Sequence, residues 1–370
     1  MSLKGIVAAA ALAVVAAIPT GAFLFEGKVP APVDQIHQLP PWNGPKPGTA
    51  WDVLQIDGAL QFLPWRIYMV DSMRAGYVPL WNPYSFGGAP FLANSQSAPM
   101  YPLHWLWPFD AESLLSFSAW LHVFIGGLGI YVLTRTLGAS ILGGLLAGTA
   151  FELCAFTVAW IQLPSVGMTA AWIPWCLWAV LRVCRAPSAR NVAISSVFVG
   201  LMLLAGHLQI ALYGMLATAM YGIWLCAWSR NGAGTKLLAG AAAVLLGSML
   251  AAPQLAPSIR MALRGHRAAS ASADSWDAHE KQALQPAHLA ALFVPGIFGM
   301  PQDPGPEKGM SGYWLGYAQP GRNYAELAFY VGPLTLPFAL LAVPLLRRRP
   351  EQSFFAVLAV FAVAVALGTP

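Results

Sequence analysis

The sequence predicts an all-α, multispan membrane protein with about nine transmembrane helices and two long extracytoplasmic loops. Of its 370 residues, 57% are hydrophobic and only 9% are Asp, Glu, Lys or Arg, whereas an ordinary soluble domain has about 25% charged residues. So few charged side chains cannot cover the surface of a water-soluble protein of this length. The 12% aromatic content and the long apolar runs also exclude a disordered chain.

Nine apolar stretches are candidates for helices that cross a bilayer, which takes about 20 residues for a hydrocarbon layer about 30 Å thick. The predicted spans cover residues 5–25, 113–133, 140–160, 167–183, 192–206, 210–228, 237–257, 327–346 and 354–367. The fifth span is short, and its boundary with the sixth is the least defined. The first span is interpreted as an uncleaved anchor, and a signal peptide cleaved near residues 20–22 is the alternative.

The basic residues predict the orientation of these spans. Half of the 20 Lys and Arg residues fall before the first span or in short connections between spans: Lys4, Arg135, Arg182, Arg185, Arg190, Arg230, Lys236, Arg347, Arg348 and Arg349. Because Lys and Arg accumulate in cytoplasmic loops, these connections and the amino terminus are predicted to be cytoplasmic. Every long polar segment then lies on the extracytoplasmic side.

Residues 26–112 and 258–324 are the two predicted extracytoplasmic loops of a single membrane domain that covers residues 1–370. The first loop contains six Trp residues, which favour interfacial helices folded on the membrane surface. All four Cys residues lie in apolar stretches, so no disulfide is predicted. The net charge of +5 is explained by cytoplasmic anchoring, and no basic, aromatic-rich segment indicates nucleic acid as a partner.

A polar stripe in the first loop is the main candidate for chemistry. Residues 52–55 have the pattern of a capping box, with Asp52 as the cap, and predict a helix that begins at Val53. At 100° per residue, four polar side chains fall within one arc of about 80°: Asp57, Gln61, Tyr68 and Asp71. Pro64 should kink or divide this helix.

A series of short motifs follows along the chain. They are Asp57-Gly58-Ala59-Leu60-Gln61-Phe62-Leu63-Pro64-Trp65, Pro79-Leu80-Trp81-Asn82-Pro83-Tyr84, Gly87-Gly88-Ala89-Pro90-Phe91-Leu92-Ala93-Asn94, Gln96-Ser97-Ala98, Tyr101-Pro102, Ala171-Trp172-Ile173-Pro174, Gly206-His207-Leu208-Gln209, Pro295-Gly296-Ile297-Phe298-Gly299, Asn323-Tyr324-Ala325-Glu326 and Tyr330-Val331-Gly332. In this order over residues 57–332, they closely resemble the motifs of bacterial YfhO-type membrane proteins.

The YfhO-type family is similar to GT-C glycosyltransferases, multispan enzymes that move a sugar from a polyprenyl-phosphate donor to an acceptor on the extracytoplasmic side. The resemblance therefore implies a GT-C-like enzyme of the bacterial cytoplasmic (inner) membrane. Its partners would be a polyprenyl-phosphate-linked sugar, an envelope glycan or lipid acceptor, and membrane lipids. Members of the family are usually longer than this chain, so we expect it to be the amino-terminal portion of a longer protein.

Asp57 holds the place of the essential acid that GT-C enzymes keep in their first external loop. A carboxylate suits this position because a sugar hydroxyl becomes a good nucleophile when a base accepts its proton. General base is therefore the favoured role. Two others stay open: binding of the acceptor or of a divalent metal, and simple solvation on a polar face. Such a metal is the one cofactor candidate.

Other polar residues are candidates for substrate binding. Gln61 and Asp71 share the stripe with Asp57, and the resemblance adds four residues from its motifs: Asn82, Asn94, Gln96 and Glu326.

Three arginines are candidates for binding the donor phosphate. Arg260, Arg264 and Arg267 recur at i, i+4 and i+7, so they share one face of a helix that leaves the seventh span. Contact with anionic lipid headgroups is the alternative interpretation of this face.

Glu152 is the one acid predicted inside a span, where an ionisable group is costly and therefore a functional candidate. His207 and Gln209 are its predicted partners and further candidates for substrate binding. A purely structural polar contact is the alternative.

Two other functions stay open. A transporter or flippase of a lipid-linked substrate would use Glu152 and His207 along a pathway through the membrane. A non-catalytic envelope assembly protein would tolerate the combined loss of Asp57 and Arg264.

Overall fold

Helices account for nearly all of the regular structure. The computed structural model describes residues 3–42, 55–105, 110–229, 231–265, 283–300, 323–346 and 349–368. Within these ranges the α-helices are α1 (Leu3–Phe25), α2 (Leu63–Arg74), α3 (Ala111–Thr136), α4 (Ile141–Leu153), α5 (Ala155–Ala159), α6 (Pro164–Ala170), α7 (Ile173–Arg185), α8 (Ala189–Leu204), α9 (Leu208–Ser229), α10 (Ala233–Arg264), α11 (Thr335–Leu346) and α12 (Pro350–Ala366). Strand β1 (Trp81–Asn82) pairs with β2 (Ala89–Pro90) in a short antiparallel hairpin, with Trp81 opposite Pro90.

Six helical segments in the described ranges are long and apolar enough to cross a membrane. They cover residues 3–25, 111–136, 141–159, 164–185, 208–229 and 233–264. The third consists of α4 and α5, and the fourth of α6 and α7. The protein is therefore all-helical and has the helices of a multi-pass membrane protein, as predicted.

The prediction of nine spans is wrong in number for the part of the chain that the structure describes. The predicted spans 192–206, 327–346 and 354–367 correspond to α8, α11 and α12, which have 16, 12 and 17 residues. By length alone these three helices reach about 18 to 26 Å, so they are not among the six that are long enough for a hydrocarbon layer of about 30 Å. Residues 328–332 are not helical, so the eighth predicted span began too early.

Glycine allows α1, α3 and α4 to pack closely. A Cβ atom at Gly148 of α4 would lie 2.8 Å from the carbonyl oxygen of Gly127 in α3, and 2.9 Å from Leu12 Cδ2 in α1. Such close approach of helix backbones is favoured in membranes, where van der Waals contact replaces the hydrophobic effect. A second group of helices packs around the buried side chains of Cys176 and Met202.

Residues 55–105 form a layer over one end of the helices, which we call the α2 end. Met69 of α2 packs with Phe91 and with Leu114 of α3 in one buried cluster. Gln254 of α10 joins the layer to the helices, because its Oε1 accepts a hydrogen bond from the Met100 N–H at 3.2 Å. This layer belongs to the first predicted extracytoplasmic loop.

Candidate functional site

Asp57 stands at the start of the helical part of this layer. It is the N-cap of a π-helical turn, Gly58–Phe62, which leads directly into α2. The predicted helix start at Val53 and the cap at Asp52 lie outside the described residues. Pro64 occupies the first turn of α2, directly after the π turn, so the helix changes here from π to α hydrogen bonding without a break in the helical backbone.

The π turn changes the predicted polar stripe. Its hydrogen bonds run over five residues instead of four, so the spacing of 100° per residue does not hold between Asp57 and Phe62. Gln61 is partly buried and Asp71 is exposed. The buried face of α2 carries Arg66 and Met69 instead.

The start of the π turn and the residues before it touch the turn between α5 and α6. A Cβ atom at Gly58 would lie 2.9 Å from the carbonyl oxygen of Gln162. Gln55 Nε2 donates a hydrogen bond to the carbonyl oxygen of Ala159 at 3.2 Å. Because only a glycine fits this contact, Gly58 places the neighbouring Asp57 beside residues 159–163.

Two polar groups in these segments have no partner among the described residues. The carboxylate of Asp57, which is partly buried, makes no hydrogen bond or ion pair to any described residue. The side-chain Oε1 of Gln162 is buried and also lacks a hydrogen-bond partner. A buried acceptor without a partner costs about 1 to 3 kcal/mol, so this arrangement favours a site that receives a donor from outside the protein.

The segment that contains Glu326 reaches the same place. The Ala155 N–H donates to the carbonyl oxygen of Tyr330 at 2.8 Å. Ala159 packs with Ala325 and Ala328, and the side chain of Glu326 is exposed. We call residues 55–58, 159–163 and 323–328 the α5 corner, since all three segments meet at this short helix.

Gln162 was not among the predicted site residues. It lies outside the quoted motifs, in a turn between apolar helices, and nothing in its neighbourhood in the sequence distinguishes it. The one weak signal in the sequence was the position of this polar side chain between two predicted spans, where the chain turns back.

Three predicted substrate-binding residues have partners inside the protein. Asn82 Oδ1 accepts from the Tyr84 N–H at 2.9 Å, and its Nδ2 donates to Ser85 Oγ at 3.1 Å. Asn94 Oδ1 accepts from the Gln96 N–H at 3.3 Å, and Gln96 Oε1 accepts from a serine hydroxyl of α6. These bonds give all three a structural role, and substrate binding stays a prediction.

The arginine face is only partly described. Arg260 and Arg264 are exposed on the last turns of α10, while Arg267 lies outside the described residues. Where α10 meets the layer, it contacts residues 95–97. Among the described residues, nothing joins Arg260 or Arg264 to Asp57.

Glu152 is fully buried in α4, and neither carboxylate oxygen has a hydrogen-bond partner among the described residues. The prediction that His207 and Gln209 are its partners is wrong. His207 Nδ1 accepts from the Ile210 N–H at 3.3 Å, and Gln209 Nε2 donates to Tyr213 Oη at 2.8 Å. Both residues lie at the start of α9, whereas Glu152 faces Gly127 of α3.

A buried arginine of α2 contacts a buried histidine near the end of the layer. Arg66 is 3% exposed, and its Nη1 lies 2.7 Å from Nδ1 of His104, which is equally buried. Burial lowers the pKa of Arg66 to about 9. Burial and the adjacent guanidinium hold the pKa of His104 well below its usual range, so this imidazole is neutral at pH 7. The sequence contained a hint that Arg66 is buried, because its spacing from Phe62 and Met69 places the three residues on one helix face.

Comparison of the chain with protein-family models, curated proteins and solved structures gives no match. The resemblance to YfhO-type proteins therefore rests on the sequence motifs. The described residues also contain no group of three or more His, Cys, Asp or Glu side chains that could hold a metal ion.

Proposed function

We propose that this protein is a membrane glycosyltransferase of the GT-C type. It moves a sugar from a polyprenyl-phosphate donor to an envelope glycan or lipid on the extracytoplasmic side. The observation that carries the proposal is the unpaired, partly buried carboxylate of Asp57 at the α5 corner, a corner that also contains the unpaired Oε1 of Gln162. The resemblance of the motifs to YfhO-type proteins supports the same function.

In the proposed reaction, Asp57 accepts the proton of the acceptor hydroxyl. At the same time the hydroxyl oxygen bonds to the anomeric carbon of the donor sugar, and the bond from that carbon to the phosphate breaks. A positioned base of this kind contributes about 10² to 10⁴ in rate. The leaving group is a phosphate, which needs no general acid opposite the base. Oε1 of Gln162 can accept a hydrogen bond from a second sugar hydroxyl, which would orient the acceptor.

The test measures transfer of labelled sugar from a polyprenyl-phosphate donor in membranes that contain the full reading frame. Asp57→Asn keeps the size of the side chain and removes its basicity, so we expect transfer to fall by about 10² or more. Asp34→Asn is the matched control, because Asp34 is an exposed acid in the same predicted loop. If Asp57→Asn transfers as much sugar as the wild type, the assignment of the base is wrong.

One observation favours transport of a lipid-linked substrate as a second candidate function. The span that contains Glu152 is interrupted at Cys154, one residue after α4 ends, and the buried carboxyl has no partner among the described residues. Interrupted helices and isolated polar groups are common along transport pathways. Movement of a labelled polyprenyl phosphate across vesicles that depends on Glu152 and not on Asp57 would favour this function over the enzyme.

A further inference from the structure

A cavity of about 370 Å³ lies between α7, α8, α9 and α10, and its lining shares no residue with the α5 corner. Its volume is within the range of about 300 to 1,000 Å³ that is typical of small-molecule sites. Most of its lining is apolar, including Val180, Met202 and Val244.

The cavity is partly open. Its floor is formed by buried side chains of α7 and α8, with Cys176 and Met202 at 0% exposure. Its rim is formed by exposed side chains of α9 and α10, with Ile223 at 60% and Leu237 at 47%. Because α9 and α10 are both candidate membrane spans, this opening faces the hydrocarbon of a bilayer.

One cation stands at the end of the cavity. Lys236 lies in the first turn of α10, next to the α9–α10 connection, and it is the charged residue among the described residues that line the cavity. Its Nζ donates to Ser229 Oγ at 2.7 Å, at the last residue of α9. A lysine at the end of a span lies at the level of the lipid headgroups.

We propose that this cavity binds one acyl chain of an anionic phospholipid, with the headgroup phosphate at Lys236. The apolar floor and the lateral opening suit a hydrocarbon chain that enters from the bilayer. The single positive charge at the predicted cytoplasmic end suits an anionic headgroup, since anionic lipids attract Lys and Arg at that surface. This site is separate from the α5 corner and does not depend on the proposed enzymatic function.

The first test uses vesicles of phosphatidylglycerol that carries a photoreactive group in its acyl chain. Gly240 lines the cavity, and a Cβ atom there meets nothing within 4 Å, so Gly240→Leu adds bulk at the cavity without a clash at its Cβ. Gly234 on the same helix has equally open space and does not line the cavity, so Gly234→Leu is the matched control.

We expect crosslinks on α7 and α8 in the wild type and in Gly234→Leu, and a loss of about tenfold in Gly240→Leu, because the added side chain takes part of the space that an acyl chain needs. Equal crosslinking in all three proteins, or crosslinks confined to the outer surfaces, would overturn the proposal.

A second measurement covers the case in which Gly240→Leu does not fold. Cys176, Cys184 and Cys226 line the cavity, so added phosphatidylglycerol should protect these thiols of the delipidated wild type from an apolar maleimide. Unchanged alkylation would overturn the proposal.

The headgroup is tested separately with Lys236→Gln. We expect the wild type to prefer phosphatidylglycerol over phosphatidylcholine by about fivefold, and the variant to lose that preference, since one lysine near the surface contributes about this much. Equal crosslinking of both lipids in the wild type would exclude the anionic headgroup.

Discussion

At the residue scale, the α5 corner depends on a contact that a single methyl group would prevent. Gly58 lies so close to the carbonyl oxygen of Gln162 that a Cβ atom would be 2.9 Å away, and a backbone atom cannot rotate out of the way. The glycine therefore brings the start of the π turn, next to Asp57, against the turn between α5 and α6. The motif that contains Asp57 and Gly58 was recognisable in the sequence. Gln162, which Gly58 contacts 104 residues later in the chain, was not.

Gln162 should show a conflict between stability and activity. Replacing it with leucine removes a buried acceptor that lacks a partner, so we expect Gln162→Leu to unfold at the wild-type temperature or higher, with a gain of up to about 1 kcal/mol. Sugar transfer should fall by about tenfold, because a hydroxyl of the acceptor loses its partner. Thermal unfolding in detergent and the transfer assay measure the two effects.

The control for this substitution is Gln352→Leu. Gln352 Nε2 donates to the carbonyl oxygen of Leu137 at 3.0 Å, so the same change there removes a real hydrogen bond and should cost about 1 kcal/mol. If Gln162→Leu destabilises the protein as much as Gln352→Leu, the Oε1 of Gln162 has a partner in the folded protein and the interpretation of the site is wrong.

At the element scale, two helices show where sequence patterns stop being informative. Pro64 predicted a kinked or divided helix near residue 64, and the structure has there a change from the π turn to α2 within one continuous helical run. The break between α4 and α5 at Cys154 has no proline or glycine to indicate it. It is accompanied by a tertiary hydrogen bond from the Ala155 N–H to Tyr330, and a contact between residues so distant leaves no local pattern.

Gln254 is the element-scale link between α10 and the layer at the α2 end. It is 2% exposed, and besides its bond to Met100 it donates to the carbonyl oxygen of Leu204 at 3.2 Å. Gln254→Leu would leave these backbone groups without their partner. We expect a loss of about 1 to 3 kcal/mol in stability and faster amide hydrogen exchange over residues 95–101.

Ser258→Ala is the control for this change, because Ser258 Oγ bonds only within α10, to the carbonyl oxygen of Gln254 at 2.8 Å. Exchange over residues 95–101 should be unchanged in that variant. An equal increase of exchange in both variants would mean that α10 as a whole, and not the Gln254 side chain, holds the layer.

At the scale of the whole molecule, the composition predicted the class of protein correctly but not the number of membrane spans. Few charges and long apolar runs predicted an all-helical membrane protein, because hydrophobicity is a sum over many residues. The number of spans depends on where each helix starts and ends. α8 is ended by Gly206, which has φ of +105° and packs against Ser95 of the layer. Such tertiary contacts decide helix lengths, and hydropathy does not contain them.

The orientation of the whole molecule is open to a direct test. The distribution of Lys and Arg predicts that the α2 end is extracytoplasmic and that the α9–α10 connection is cytoplasmic. Single cysteines at Tyr84, which is 82% exposed, and at Gly234, which has open space for a side chain, report the two ends. The four natural cysteines would be replaced with alanine.

We expect a membrane-impermeant maleimide to label Tyr84→Cys on intact cells and to label Gly234→Cys only after the membrane is permeabilised. The physical reason is that connections rich in Lys and Arg stay on the cytoplasmic side during insertion. The reverse pattern would place Asp57 in the cytoplasm, where an acid at the α5 corner could not act on an extracytoplasmic acceptor. The same two variants therefore test the topology and a necessary condition of the proposed enzyme, without requiring knowledge of the sugar.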